Sequence, residues 1–183
     1  MATSSHGKDV RISQGAVVCM DCKLEGPITV GPRTVIHPKA CITAEGGPII
    51  IGENNIFEEQ CVIKHKLDGE TKGRPQTLNI GSNNVFEVGC IVLSKAIGDN
   101  NIFEAKSFVG PDVEVGHGCI IGAGVSLQLP EKLPDNVIVT GSQYNRTIAA
   151  DRPPPQTLQL DFLTKVLPNY HHLRRPKDRP NVL

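Results

Sequence analysis

IGDNNIFEAKSFVGPDVEVGHGCIIGAGVSL, residues 97–127, sets an aliphatic or aromatic side chain at Ile97, Phe103, Val109, Val115, Ile121 and Leu127, every sixth position without a break. A helix repeats every 3.6 residues and a two-sided strand every 2, so neither explains a step of six. The step continues through Leu133 and Val139. Upstream it runs Ile12, Val18, Leu24, Val30, Ile36, Ile42, restarts at Ile51, Phe57, Ile63, and again at Ile80, Phe86, Val92. A hexapeptide repeat of this kind predicts a parallel β-helix, three hexapeptides to each triangular turn. Turns beginning at Ile12, Val30, Ile51, Ile80, Ile97, Val115 and Leu133 give about seven coils. Stacked at strand spacing they make a prism roughly 30 Å long.

Breaks in the count locate the loops. Three extra residues fall around Gly46-Gly47-Pro48, and one is missing between Val92 and Ile97. Residues 64–79, KHKLDGETKGRPQTLN, stand where five residues would continue the coil, a polar excursion that carries Lys64, Lys66, Lys72 and Arg74. The expected organisation is a flexible tail over 1–9, the β-helix over 10–142 with its excursion at 64–79, a Pro-rich linker over 143–155, a helix over 156–173 and a basic tail over 174–183.

The chain has 183 residues and no net charge, so no global field draws it to nucleic acid or an anionic membrane. No apolar run is long enough to span a bilayer, and Met1–Asp9 lacks the apolar stretch of a secretory signal; a cytoplasmic protein is expected. Cys22, Cys61, Cys90 and Cys119 each lie four residues after a repeat residue, in an inward corner slot that Ala16, Ala40 and Ser107 fill elsewhere. Cysteine there reads as a small buried hydrophobe. Cys19 and Cys22 have no second pair with which to make a zinc site.

IGENNIFEEQCVI, IGSNNVFEVGCIV and IGDNNIFEAKSFV are near copies, which stacks like on like. Phe57, Phe86 and Phe103 become an interior column, and the Asn pairs 54–55, 83–84 and 100–101 a corner where Asn tolerates left-handed backbone. Residues just before the repeat positions should face outward, yet Ile56, Val85 and Ile102 are apolar, as are Val62, Ile91 and Phe108 on the next side. Strands apolar on both faces belong to sheets covered on both faces. Something therefore packs on these two columns. Glu58, Glu87 and Glu104 stack beside the first, and a basic partner would relieve their repulsion. These nine residues are the expected partner-binding set.

Beyond Pro153-Pro154-Pro155 the pattern turns helical: Leu158, Phe162 and Val166 lie four apart with Leu163 and Leu167 adjoining. Thr157 is placed to cap the start and Pro168 to end it. Such a helix, roughly 16 Å long, crosses about three coils. Its apolar side is expected to cover one outer column and leave the other for a second chain.

Many left-handed β-helices are trimeric γ-class carbonic anhydrases or acyltransferases, the alternative class for this chain. His37, His65 and His117 fall on different sides of coils two, three and six, too far apart to share a metal, and no carboxylate is evidently set to orient His37 or His65 as a base. No catalytic residue, metal or cofactor is expected.

VGPRTVIHPKA (30–40), NNVFEVGC (83–90), IGDNN (97–101) and above all PQTLQLDFLTKVLPNYHHL (155–173) resemble the dynactin subunit 6 family, β-helix subunits of the dynactin pointed-end complex. The resemblance spans roughly residues 10–173; the loop at 64–79 and both tails depart from it. It implies an all-β solenoid, a left-handed parallel β-helix with a C-terminal α-helix packed on one face. It also implies a non-enzymatic subunit that pairs with the other β-helix subunit and sits with an actin-related protein. Through that complex it would indirectly support dynein cargo adaptors and microtubule-based transport. The implied locations are the cytoplasm and cytoskeleton, and the kinetochore during mitosis. The first coil, Ile12 to Leu24, is a further candidate contact because an uncovered β edge invites pairing.

Overall fold

Residues 9–66 and 74–175 are described by a computed structural model. The chain forms the expected parallel solenoid with three sheets as its sides. The first side holds 7 strands, from Val10–Ile12 through Ile28–Val30, Ile49–Ile51, Leu78–Ile80, Ala96–Ile97 and Val113–Val115 to Glu131–Leu133. The second holds Val17–Val18, Val35–Ile36, Ile56–Phe57, Val85–Phe86, Ile102–Phe103, Ile120–Ile121 and Val137–Thr140. The third runs from Lys23–Glu25 through Cys41–Ala44, Val62–His65, Ile91–Val92 and Phe108–Val109 to Ser126–Leu127.

Register between coils is set by identity. Ile56 pairs with Val85 and Val85 with Ile102, so Phe57, Phe86 and Phe103 lie directly above one another inside. Their ring centroids are 4.5 and 4.8 Å apart and their planes within 6°. Free aromatic pairs favour offset or edge-on geometry; here the spacing of the coils imposes the stack. The glycine that follows many inward residues is required by the same close stacking: a Cβ on Gly81 would lie 2.5 Å from Gly98 O.

The corner between the first and second sides is held by buried amides. Asn54, Asn83 and Asn100 take φ of 57°, 59° and 58°, the left-handed turn expected of them. The next residue of each pair points inward. Asn55 Oδ1 accepts the Asn84 amide at 2.9 Å, Asn84 Oδ1 accepts the Asn101 amide at 2.9 Å, and Asn101 Oδ1 accepts the Cys119 amide at 2.7 Å. Each buried oxygen thus satisfies a backbone donor one coil on, the condition for burying it cheaply.

The count breaks have local explanations. Ser94 closes the corner that lacks a residue, its hydroxyl 2.8 Å from Ala96 O and 2.5 Å from Val113 O. The insert at Gly46-Gly47-Pro48 receives the returning end of the excursion, with Gln76 N donating to Gly46 O and Leu78 N to Pro48 O, both at 2.9 Å. Lys72, assigned to that excursion, lies outside the described residues.

At the far end the chain departs from expectation. Asn145–Ile148, assigned to the linker, is a strand that turns back antiparallel along Val137–Thr140. All four of its residues are exposed, so it carries no alternating pattern by which to find it. Gly141 and Tyr144, at φ of 71° and 52°, make the reversal.

Two substitutions test the columns. Phe86→Ala should cost about 3–5 kcal/mol of unfolding free energy, and Asn84→Ala about 1–3 kcal/mol by orphaning the buried Asn101 amide. Urea denaturation read by circular dichroism measures both, and midpoints equal to the parent's would show that stacking does not hold the coils.

Candidate functional site

The outward column of the second side is apolar from the first coil: Val17, Val35, Ile56 and Val85 stand in register and are buried, with Ile102 half-buried above them. The cover is the helix Thr157–Tyr170, whose Leu160, Leu163 and Leu167 form one cluster with that column. Burying Leu160 and Leu167 stabilises the seat by about 1.5–3 kcal/mol each, and the half-buried Leu163 adds less.

The helix faces the sheet with a different stripe from the one expected. Leu163 and Leu167 do pack inward, and Val166 is half-buried, but Leu158 is 86% and Phe162 62% exposed, while Leu160 is only 2% exposed. Two apolar stripes overlap on this helix, so periodicity alone left its rotation open. Polar anchors beside Leu160 select it: Arg33 Nη2 donates to Asp161 Oδ1 at 2.7 Å, and Gln159 Nε2 to Glu58 Oε1 at 3.5 Å. Thr157 is the first helical residue and not the cap, and Pro168 is accommodated within the last turn.

The segment after the helix folds onto the first coil. Leu173 makes an antiparallel bridge with Cys19, Met20 N donates to His172 O, and Arg174 N donates to Val18 O, the last two at 2.8 Å. Arg174 Nη2 adds a bond to Cys22 O at 2.7 Å. The second side's edge on the first coil, expected to be uncovered, is therefore blunted by the chain itself.

The other column stays open. Val62, Ile91 and Phe108 stand in register on the third side, Ile91 37% exposed and its two neighbours half-buried, with Cys41 and Ser126 continuing the line. Among the described residues no element crosses them. Val88, exposed at the adjoining corner, widens this patch. Ile56 and Val85 lie under the helix and leave no surface there for a second chain, so on the middle coils the open apolar column is that of Val62, Ile91 and Phe108.

The glutamates have a role within the chain that spacing did not reveal. Glu58 Oε2 accepts the Val88 amide at 3.0 Å, Glu87 Oε2 the Ala105 amide at 2.9 Å, and Glu104 Oε2 the Ala123 amide at 2.8 Å. Each carboxylate thus caps a turn one coil on. Burial pushes the Glu87 carboxyl up, the charges of Glu58 and Glu104 add to this, and the Ala105 amide opposes it.

The three solenoid histidines stay apart. Their ring nitrogens engage different partners: His37 Nδ1 with Glu59 Oε1 at 2.9 Å, His65 Nε2 with Gln76 O at 2.7 Å, and His117 Nδ1 with the Asp99 amide at 2.9 Å. Glu59 is the orienting carboxylate that the sequence did not reveal for His37. Burial alone would raise its carboxyl; the His37 hydrogen bond, a backbone bond and the charges of His37 and His171 bring it below its ordinary value. His37 itself is buried, so the pair offers a substrate no open base. Among the described residues no three histidine, cysteine or acidic side chains converge as a metal site. Burial pushes the Cys19 and Cys22 thiols up to about 11, which leaves them protonated and weakly nucleophilic.

No family model matches the chain. It is 50% identical to dynactin subunit 6 of Xenopus tropicalis over 183 aligned residues, 96% of this chain and 91% of that one. It is 48% identical to dynactin subunit 6 of Nematostella vectensis over 92% of this chain and 94% of that one. Solved structures share the fold at low identity. A hexapeptide transferase family protein from Anaplasma phagocytophilum superposes with a TM-score of 0.62 at 15% identity, over 88% of each chain. UDP-N-acetylglucosamine O-acyltransferase from Moraxella catarrhalis does so with 0.58 at 16% identity, over 77% of this chain and 70% of that one.

Two outcomes follow from the seating of the helix and the glutamate stack. Leu160→Ala should cost about 2–3 kcal/mol and speed proteolysis in residues 149–156, whereas Phe162→Ala should change stability by less than about 0.5 kcal/mol. Equal losses would mean that the helix is turned the other way. Glu87 has a folded pKa above its unfolded one, so its ionisation works against folding at neutral pH and that penalty fades as pH falls through the raised pKa. Glu87→Gln keeps an acceptor for the Ala105 amide, so thermal melts should show a higher midpoint than the parent at pH 7 and none of that advantage at pH 3.

Proposed function

The chain belongs to the dynactin subunit 6 family, and from that premise we propose that it is a non-catalytic structural subunit of the dynactin pointed end. It pairs with the other β-helix subunit through the third side of its prism. The observation that carries this reading is the unequal fate of two similar columns. The helix takes Ile56 and Val85, while Val62, Ile91 and Phe108 keep apolar surface that water solvates poorly. A sheet face of that kind, rimmed by Lys64 and Lys106, suits another flat apolar face with a polar border.

In this role the subunit stands beside an actin-related protein in the pointed-end assembly and reaches dynein cargo adaptors only through that assembly. Its working places are the cytoplasm and cytoskeleton, with the kinetochore added in mitosis. The acyltransferase alternative gains nothing from fold likeness at 15–16% identity, which speaks to architecture alone. In the His37–Glu59 pair the imidazole is buried.

Sedimentation velocity of the full chain, alone and mixed with the other β-helix subunit, is the test. The mixture should sediment as a one-to-one complex. Ile91→Asp and Phe108→Asp should each weaken it at least about tenfold, as expected for a residue central to an interface. Unchanged complexes with both variants would remove the third side from the pairing.

A further inference from the structure

The apolar ridge of the second side does not stop where the helix does. Ile102 pairs with Ile120 and Ile120 with Ile138, so the outward column continues through coils five, six and seven. Thr147 of the returning strand stands beside Ile138 and lengthens the face by one more row. Ile120 and Ile138 are half-buried and belong to neither hydrophobic cluster of the molecule. The chain's own helix starts at Thr157 and spends its leucines on the first four coils and the flank of Ile102. Three rows and the returning strand span about 14 Å at strand spacing, the length of a helix of about ten residues.

What fits this remainder is shown by what fits the covered part, because the same ridge there accepts leucines at i, i+3 and i+7. Charge distinguishes the two flanks. On the third-side flank the acidic groups stand at the lower end of this face: Glu87 of coil four reaches up to the Ala105 amide and Glu104 of coil five to the Ala123 amide, and among the described residues no cation pairs with either. The opposite flank is already neutralised, Arg146 bonding Glu131 at 2.7 Å and Arg152 standing 3.7 Å from Asp135.

We infer that coils five to seven of the second side form a docking site for an amphipathic helix of a partner chain. That helix lies end to end with the chain's own, with apolar residues at i, i+3 and i+7 over Ile102, Ile120 and Ile138 and lysine or arginine over Glu87 and Glu104. The acidic flank fixes which way the helix is rolled, since a basic stripe on the wrong side would face the neutralised pairs. The site is separate from Val62, Ile91 and Phe108, so it stands or falls independently of the third-side pairing.

The test is fluorescence anisotropy of a labelled synthetic peptide of about 14 residues, leucine at i, i+3 and i+7 and lysine along one flank, titrated with the full chain. Binding should weaken at least about tenfold with Ile120→Ser, weaken similarly when the peptide's lysines become glutamates, and decline as salt rises. Ile91→Asp should bind as the parent does. The glutamate peptide tests the charge rule on the parent chain and needs no variant to fold. No binding, binding indifferent to Ile120→Ser, or equal binding of the glutamate peptide would overturn the inference. So would self-association of the chain that Ile120→Ser abolishes, since the occupant would then be a second copy.

Discussion

Every inward side chain in this molecule rests on its counterpart in the coils above and below, and that vertical register is what the rest depends on. A coil has almost no core of its own: strands of two to four residues turn sharp corners and bury their inward residues only when the next turn closes over them. The Phe57–Phe86–Phe103 stack and the Asn55–Asn84–Asn101 ladder are the two places where stacking is most specific, one by shape and one by hydrogen bonding. A slip of one residue would point the phenylalanines outward and leave buried backbone donors without acceptors.

Because the inside is committed to stacking, function is left to the outward positions and to the two ends. On its early coils the second side resolves its apolar exterior within the chain, by folding the C-terminal helix back over them and laying residues 172–174 along the first one. At the opposite end Asn145–Ile148 pairs antiparallel with the last coil on the same side. The second side is thus the one whose edges the chain covers at both ends, which hinders growth by edge pairing. The third side has neither cover, and its apolar residues face outward on the central coils. On the middle coils this asymmetry between two equally apolar columns separates the surface the chain needs for itself from the surface it offers.

How much of this was legible in the sequence follows from which interactions leave a periodic trace. The inward column repeats every sixth residue, so the number of coils, the interior phenylalanines and the asparagine corner could be read directly, whereas the burial of Asn55, Asn84 and Asn101 could not. Membership in the family was legible too, through the specific string at 155–173, and the relatives of Xenopus and Nematostella bear it out. The roll of the helix was not: Leu158-Phe162-Val166 and Leu160-Leu163-Leu167 are both apolar stripes, and the contacts that distinguish them, Arg33–Asp161 and Gln159–Glu58, are made across most of the chain. The Glu58, Glu87 and Glu104 bonds and the His37–Glu59 pair escaped for a similar reason. Each joins residues brought together by stacking, and nothing in the local sequence marks a carboxylate that accepts from the next coil. The return strand Asn145–Ile148 has no buried residue to give it a pattern.

Hydroxyl-radical footprinting, with side-chain oxidation read by mass spectrometry in the free chain and in its complex with the other β-helix subunit, tests the central claim most directly. On this account Ile91 and Phe108 oxidise in the free chain and are protected in the complex, while Ile56 and Val85 stay unoxidised in both because the chain's own helix already covers them. Oxidation of Ile56 and Val85 in the free chain, or of Ile91 and Phe108 undiminished in the complex, would contradict it.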